Sequence, residues 1–278
     1  MSDFASVVGG TPGDTIPIAS VDPDGAFAYF WNTGTADLDL GAQGDAWDSQ
    51  GSNANNTVAG GTGDDTMAAG AGSDLLTGQD GDDIIDAGAG DNTVAGGQGA
   101  DTLLTGSGND FVDGGVGNDV VQAGAGSDQI FGGDGDDSLA GEAGMDSLYG
   151  GSGNDTLLGG ADDDYLSGAS GNDFLSGDGG NDTLFGGSGT DVFFFDSNFG
   201  NDVIKDIGSG DQIWLTSNIN NSGITSASDV TNFLGGGTDP GTGLPFTTIT
   251  IGSDVIRIDN MDQSTFEANI STWVKIQP

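Results

Sequence analysis

Gly96-Gly97-Gln98-Gly99-Ala100-Asp101-Thr102-Leu103-Leu104 decides the fold, because the same nine-residue frame runs without a gap from Gly60 to Phe194. Written G-G-x-G-x-D-x-U-x with U apolar, it recurs as Gly150 to Leu158 (GGSGNDTLL) and fills 135 residues with fifteen copies. The eighth position is apolar in all fifteen, from Met67 and Leu76 to Leu184 and Phe193. The sixth is Asp in fourteen, with Asn92 the exception, and the fourth is Gly in all but one, Asp162. Agreement at three positions over fifteen copies is more than a Gly/Asp-rich composition produces, and a disordered linker has no reason to keep an apolar eighth residue.

Closely spaced glycines reach backbone conformations that other residues avoid, so each copy is expected to open on a tight turn. The x-U-x that follows suits a short strand with U on one face. One apolar residue in nine makes no core alone, but stacked coils bring each U onto the next. The first position alternates Gly60, Ala69, Gly78, Ala87, Gly96, Thr105, Gly114, Ala123, Gly132. That alternation implies two copies per coil, an 18-residue superperiod and two parallel sheets. The aspartates then fall where turn meets strand. One edge carries Asp65, Asp83, Asp101, Asp119, Asp137, Asp155, Asp173 and Asp191, the other Asp74, Asn92, Asp110, Asp128, Asp146, Asp164 and Asp182. At the inter-strand spacing of about 4.8 Å, such carboxylates repel strongly unless a cation lies between them. Carboxylate and carbonyl oxygens without His or Cys are hard ligands, which suit Ca²⁺ better than Mg²⁺.

On these residues the chain resembles the RTX (repeats-in-toxin, haemolysin-type) calcium-binding proteins, whose repeat is this nonapeptide. The resemblance implies an all-β, right-handed parallel β-roll with Ca²⁺ held between successive coils by the sixth-position Asp and backbone carbonyls. Carried over, an ion lies between copies n and n+2, for example Asp101 with Asp119 or Asp110 with Asp128. About 13 such positions follow, a cofactor load of roughly a dozen ions. Asn92 weakens the two gaps shared with Asp74 and Asp110. The resemblance also implies type I secretion through an uncleaved C-terminal signal, with that machinery as a partner.

Three Lys+Arg against 44 Asp+Glu leave a formal charge of −41, with no His and no Cys. Nucleic acid and anionic membrane surfaces are excluded as partners by this charge. Zero Cys removes disulfide staples, so calcium is expected to take their place in an extracellular or cell-surface setting. The opening MSDFASVVGGTPGD has neither a basic n-region nor an apolar h-region, and no apolar run is long enough to span a membrane. Catalysis is not expected. H-E-x-x-H and Ser-His-Asp both need His, a Cys nucleophile is absent, and the flanks leave little room for a two-carboxylate glycosidase cleft. Glu142 and Glu267 read as solvated.

Residues 1–50 form a β-rich cap or assembly segment, with short strands at Ala26 to Trp31 and Leu38 to Leu40, and Trp47 as a further apolar element. Residues 51–194 are the roll, its degenerate first copy 51–59 placing Asn56 and Val58 at the sixth and eighth positions. Residues 195–278 comprise two glycine-poor closing copies (Asp202 and Ile204, then Asp211 and Ile213) and a capping and secretion region. That region should hold a short helix near Ala227 to Leu234, a hairpin of Phe246 to Ile251 with Asp254 to Ile258, and a last helix opened by a Ser264-Thr265-Phe266-Glu267 capping box. Outward positions seven and nine carry Phe111, Phe131, Tyr149, Tyr165 and Phe185 on one sheet, a candidate contact surface. Two functions stay open: a secreted calcium-binding structural protein assembling with itself into a surface layer, filament or matrix, and a monomeric secreted module binding carbohydrate or a cell-surface partner.

Overall fold

The computed structural model describes residues 7–8, 29–31, 37–39, 46–48, 53–217 and 219–278. The chain forms two compact units, 1–141 and 142–278. Of the expected strands Ala26 to Trp31 and Leu38 to Leu40, residues 26–28 and 40 lie outside the described residues.

In the first unit the repeats build two parallel sheets. One runs through Val7–Val8, Tyr29–Trp31, Ala46–Asp48, Thr66–Ala71, Ile84–Ala89, Thr102–Leu104 and Val120–Ala125. The other runs through Asp37–Asp39, Thr57–Thr62, Leu75–Asp80, Thr93–Gln98, Phe111–Val116 and Gln129–Asp134. Met67 faces Ile85 and Leu76 faces Val94, so neighbouring strands are 18 residues apart. Met67, Ile85, Leu103 and Val121 line one inner face and Leu76, Val94, Val112 and Ile130 the other, all inaccessible to solvent. Trp47 pairs with Met67 and continues that buried row, and Val58 continues the other from the degenerate copy.

The strands are longer than three residues. Thr66–Ala71 begins at a seventh position and passes through the third position of the next copy. Side chains two apart share a face of a strand, so the first position joins the eighth in the core. Ala69, Ala87, Thr105 and Ala123 are accordingly buried. Each copy thus supplies two inward residues, the second one small. Glycine at the fourth position serves the turn itself. Gly117 has φ +133°, and the carbonyl of Gly99, one coil earlier, stands where a side chain would go. Asp162, the one non-glycine there, keeps the same left-handed conformation at φ 78°, which Asp tolerates better than most residues.

The second unit repeats the plan. Thr156–Ala161, Phe174–Gly179, Val192–Phe195, Gln212–Thr216 and Val274–Gln277 form one parallel sheet. Ser147–Ser152, Tyr165–Ser170, Thr183–Ser188, Asn201–Ile204 and Asp254–Asp259 run parallel in the other. The offset widens to 20 where Thr183 meets Val203 and Val192 meets Gln212, which absorbs the two-residue insertion before Asp202. The closing copies therefore stay in register, yet they are not the last strands. The expected hairpin, Pro245–Ile251 with Asp254–Asp259, enters the sheet through its second strand and extends it antiparallel to Leu234–Thr238.

The short helix expected near Ala227 to Leu234 is present as a 3-10 helix, Ala227–Phe233. One local expectation is corrected. The last helix, Gln263–Trp273, starts before the expected capping box: Asp262 is its N-cap, accepting from Thr265 N at 2.9 Å, while Ser264 donates to Asp262 and Glu267 accepts from Gln263. A carboxylate at the N-cap outcompetes a hydroxyl two residues later. Phe266, Ile270 and Trp273 form its buried face. No helix among the described residues is long and apolar enough to cross a membrane.

Candidate metal centre

Each sixth-position side chain sits at the mouth of its strand, directed into the turn. Asp65, Asp74, Asp83, Asp101, Asp110, Asp119, Asp128 and Asp137 in the first unit are at most 3% exposed, as are Asp146, Asp155, Asp164, Asp173, Asp182, Asp191, Asp202 and Asp211 in the second. Coils on one edge are tied by a single repeated bond, in which the main-chain N–H of one copy donates to Oδ1 of the Asp one coil later. It joins Asp65 to Asp83, Asp83 to Asp101 and Asp101 to Asp119 at 2.7–2.8 Å. It also joins Asn92 to Asp110 and Asp110 to Asp128 at 2.7 and 2.8 Å. In the second unit it joins Asp146 to Asp164, Asp164 to Asp182 and Asp182 to Asp202, and on the other edge Asp155 to Asp173, Asp173 to Asp191 and Asp191 to Asp211. The structure thus brings together the n and n+2 pairs that the repeat implies.

The second carboxylate oxygen sets the chemistry. Oδ2 of Asp83, Asp101, Asp119, Asp164, Asp173 and Asp191 is buried and accepts no hydrogen bond. What it faces is read from Asn92, whose amide nitrogen takes that place: Nδ2 donates to Gly90 O at 2.9 Å and to Thr105 O at 3.3 Å. These carbonyls belong to the fourth position of the same copy and the first position of the next coil. The same surroundings recur around Asp101, where Oδ2 and the carbonyl of Gly114 crowd the side of Gly96. Wherever Asp replaces Asn, an anionic oxygen therefore confronts carbonyl oxygens with no donor between them. Burying an uncompensated carboxylate is strongly unfavourable.

The titration of these groups carries the same signature. Burial, only partly offset by the main-chain bond, pushes Asp83 up to about 6, Asp101 to about 7 and Asp164 to about 8, and like-charged neighbours along the edge add to the rise. Asp202 is raised too, by burial and by the charge of Asp182. A hard divalent cation that takes six to eight oxygens at 2.3–2.6 Å, many of them carbonyls, fits this donor set. Among the described residues no three acidic side chains converge, so main-chain carbonyls must complete such a shell. Asp211 differs: its Oδ2 already accepts from Gly208 N at 2.6 Å.

A second ladder was not legible in the nine-residue frame. The fifth position, left open as x, is Asp or Asn in ten of the fifteen copies. Its Oδ1 accepts from the main chain of the following coil: Asp64 from Asp82 N, Asp82 from Ala100 N, Asp91 from Asn109 N, and in the second unit Asn154 from Asn172 N. This outer ladder runs opposite in sense to the inner one, so each turn is clipped to both neighbours. The Asx enrichment was the available signal.

The aromatic residues stand on the outer faces. In the first unit Phe111 and Phe131 lie with ring centroids 5.5 Å apart, and Phe111 is 41% exposed. In the second, Tyr149, Tyr165 and Phe185 form a ladder at 5.5 and 5.4 Å. On the opposite sheet Phe174 packs against Phe194 with ring centroids 5.6 Å apart and meets Trp214 edge-on.

Comparison with known proteins bears on this geometry. A family model described as the RTX calcium-binding nonapeptide repeat (4 copies) matches eight overlapping stretches, from 50–85 through 167–204, which together span more than half of the chain. No curated protein matches. Among solved structures, the crystal structure of extracellular lipase LipA from Serratia marcescens aligns over 79% of this chain and 38% of its own, at 17% identity and a TM-score of 0.29.

Proposed function

Because this chain belongs to the RTX calcium-binding nonapeptide-repeat family, whose members are typically secreted bacterial proteins, we propose that it is a secreted structural protein whose rolls set with extracellular Ca²⁺ and then associate with further copies. One observation carries the calcium half: buried Asp oxygens aimed at carbonyl oxygens in successive coils. The position-six aspartates supply the charge, and the first- and fourth-position carbonyls supply neutral oxygens. Calcium compensates the buried negative charge of these carboxylates and turns binding energy into folding energy. The assembly half rests on the aromatic ladders, since apolar side chains stacked in rows on an outer sheet face suit contact between proteins.

A monomeric binding module is the second reading, favoured by a concavity in the second unit. Val203, Lys205, Asp239, Thr242, Leu244, Arg257 and Asp259 line it, with two of the chain's three basic residues. Arg257 bonds Asp239 and Asp259, and these charged groups with the Thr242 hydroxyl offer the donors and acceptors that suit a carbohydrate. Electron microscopy and light scattering, without calcium and then at millimolar Ca²⁺, separate the two. Ordered polymers that dissolve on chelation support the structural protein. A calcium-loaded monomer at every concentration overturns it in favour of the module.

A further inference from the structure

The edge of the first unit that carries Asp74, Asn92 and Asp110 differs from its opposite. Asn92 is 2% exposed, and all of its side-chain polar groups are used: Oδ1 accepts from Asp74 N at 3.0 Å, and Nδ2 donates to Gly90 O and Thr105 O. Rotating the amide so that its oxygen faces those carbonyls would set the NH₂ group against the Asp74 N–H. Donor would meet donor and acceptor would meet acceptor, so the observed orientation is the stable one. The amide nitrogen is no ligand for a hard cation. One coil on, the first position is Thr105, where the opposite edge has Gly96 and Gly114. Its wholly buried hydroxyl donates to Ala123 O at 3.0 Å, the first-position carbonyl of the next coil, and also lies against the Asp110 carboxyl.

We propose that the Asn92 turn is closed by the protein's own donors and takes no ion, leaving a metal-free gap in the file of calcium ions along this edge. The inference rests on the reading that sixth-position carboxylates hold calcium. Nδ2 stands where other turns have the second carboxylate oxygen and gives its own protons to the carbonyls a cation would take, and the Thr105 hydroxyl does the same for the next carbonyl. This stretch of the roll keeps its inter-coil bonds when calcium is withdrawn, whereas the turns of Asp83, Asp101 and Asp119 do not.

The test counts ions on the intact full-length chain by native mass spectrometry with elemental analysis. Asp101→Asn is the control for the underlying reading and should lower the count by at least one; an unchanged count overturns that reading itself. Given that loss, Asn92→Asp should raise the count by one over the wild type, because it restores the oxygen that the amide replaced. Asn92→Ala should leave the count unchanged while lowering the thermal midpoint. An Asn92→Asp chain with the wild-type count, or an Asn92→Ala chain that loses an ion, overturns the metal-free gap. Hydrogen exchange adds an independent reading. In calcium-free wild-type protein the Asp74 amide, which donates to Asn92 Oδ1, should exchange more slowly than the amides of Asp83 and Asp101, which donate to carboxylates, and equal rates count against the proposal.

Discussion

A single buried oxygen per repeat governs the behaviour of the roll. In calcium-free protein the folded chain holds protons on Asp83, Asp101 and Asp164 that the unfolded chain, with carboxyl pKa near 4, has already released. Stability of the calcium-free fold is therefore present at acid pH and lost as pH rises from about 4 to about 8, the reverse of the usual carboxylate case. Circular dichroism of chelated protein should show more strand at pH 4.5 than at pH 7.5, and a flat profile contradicts it. Calcium must displace those protons, so its affinity should rise through the same window. The apolar residue two positions after each Asp is equally exposed to test. Leu103 is inaccessible to solvent, and Leu103→Ala should cost about 3 kcal/mol in denaturant unfolding of the calcium-loaded protein. At this scale much was legible: the period named every sixth-position Asp and every eighth-position core residue. The fifth-position ladder was missed because Asp, Asn and Ser there looked like ordinary turn polarity. The inward first position was missed because Gly and Ala read as turn residues and not as the floor of a core.

Turn and strand together form the element on which the fold is built, and the turn is the less forgiving half. Gly117→Ala would drive a methyl into the Gly99 carbonyl at a backbone angle unfavourable to Ala, and should abolish cooperative folding of the first unit even at saturating calcium. A melting curve matching the wild type would contradict this. Strand faces are more permissive. Tyr165→Ser with Phe185→Ser should leave calcium binding and strand content intact while weakening association measured by light scattering. The insertion before Asp202 was readable because the apolar residues two beyond it, Ile204 and then Ile213, kept their spacing. The parallel strand Val274–Gln277 was not, since four residues after a helix carry no period. Asp262 displaced the expected cap for a comparable reason: sequence offers several capping side chains, and only the helix start selects among them.

For the molecule as a whole, the charge of −41 decides what happens without ions. Like charges spread along the chain favour expansion, so small-angle scattering of chelated protein at pH 7.5 should give a radius of gyration well above that of the calcium-loaded protein, short of the roughly 60 Å of a wholly unfolded chain because the Asn92 stretch keeps its bonds, and contract steeply on adding Ca²⁺. A compact chelated chain at that pH would contradict it. The two opposed ladders have a consequence of another kind, for the grammar of permissible lengths. Excising eighteen residues, such as 78–95, removes one whole coil and leaves every remaining clip facing its proper partner. Excising nine transposes everything downstream: glycine-floored turns land above alanine-floored ones, and outward rings move to the opposite side. A turn can absorb two extra residues, as it does before Asp202, but whole copies can be added or removed only in pairs, and a half-step is a frameshift written in space.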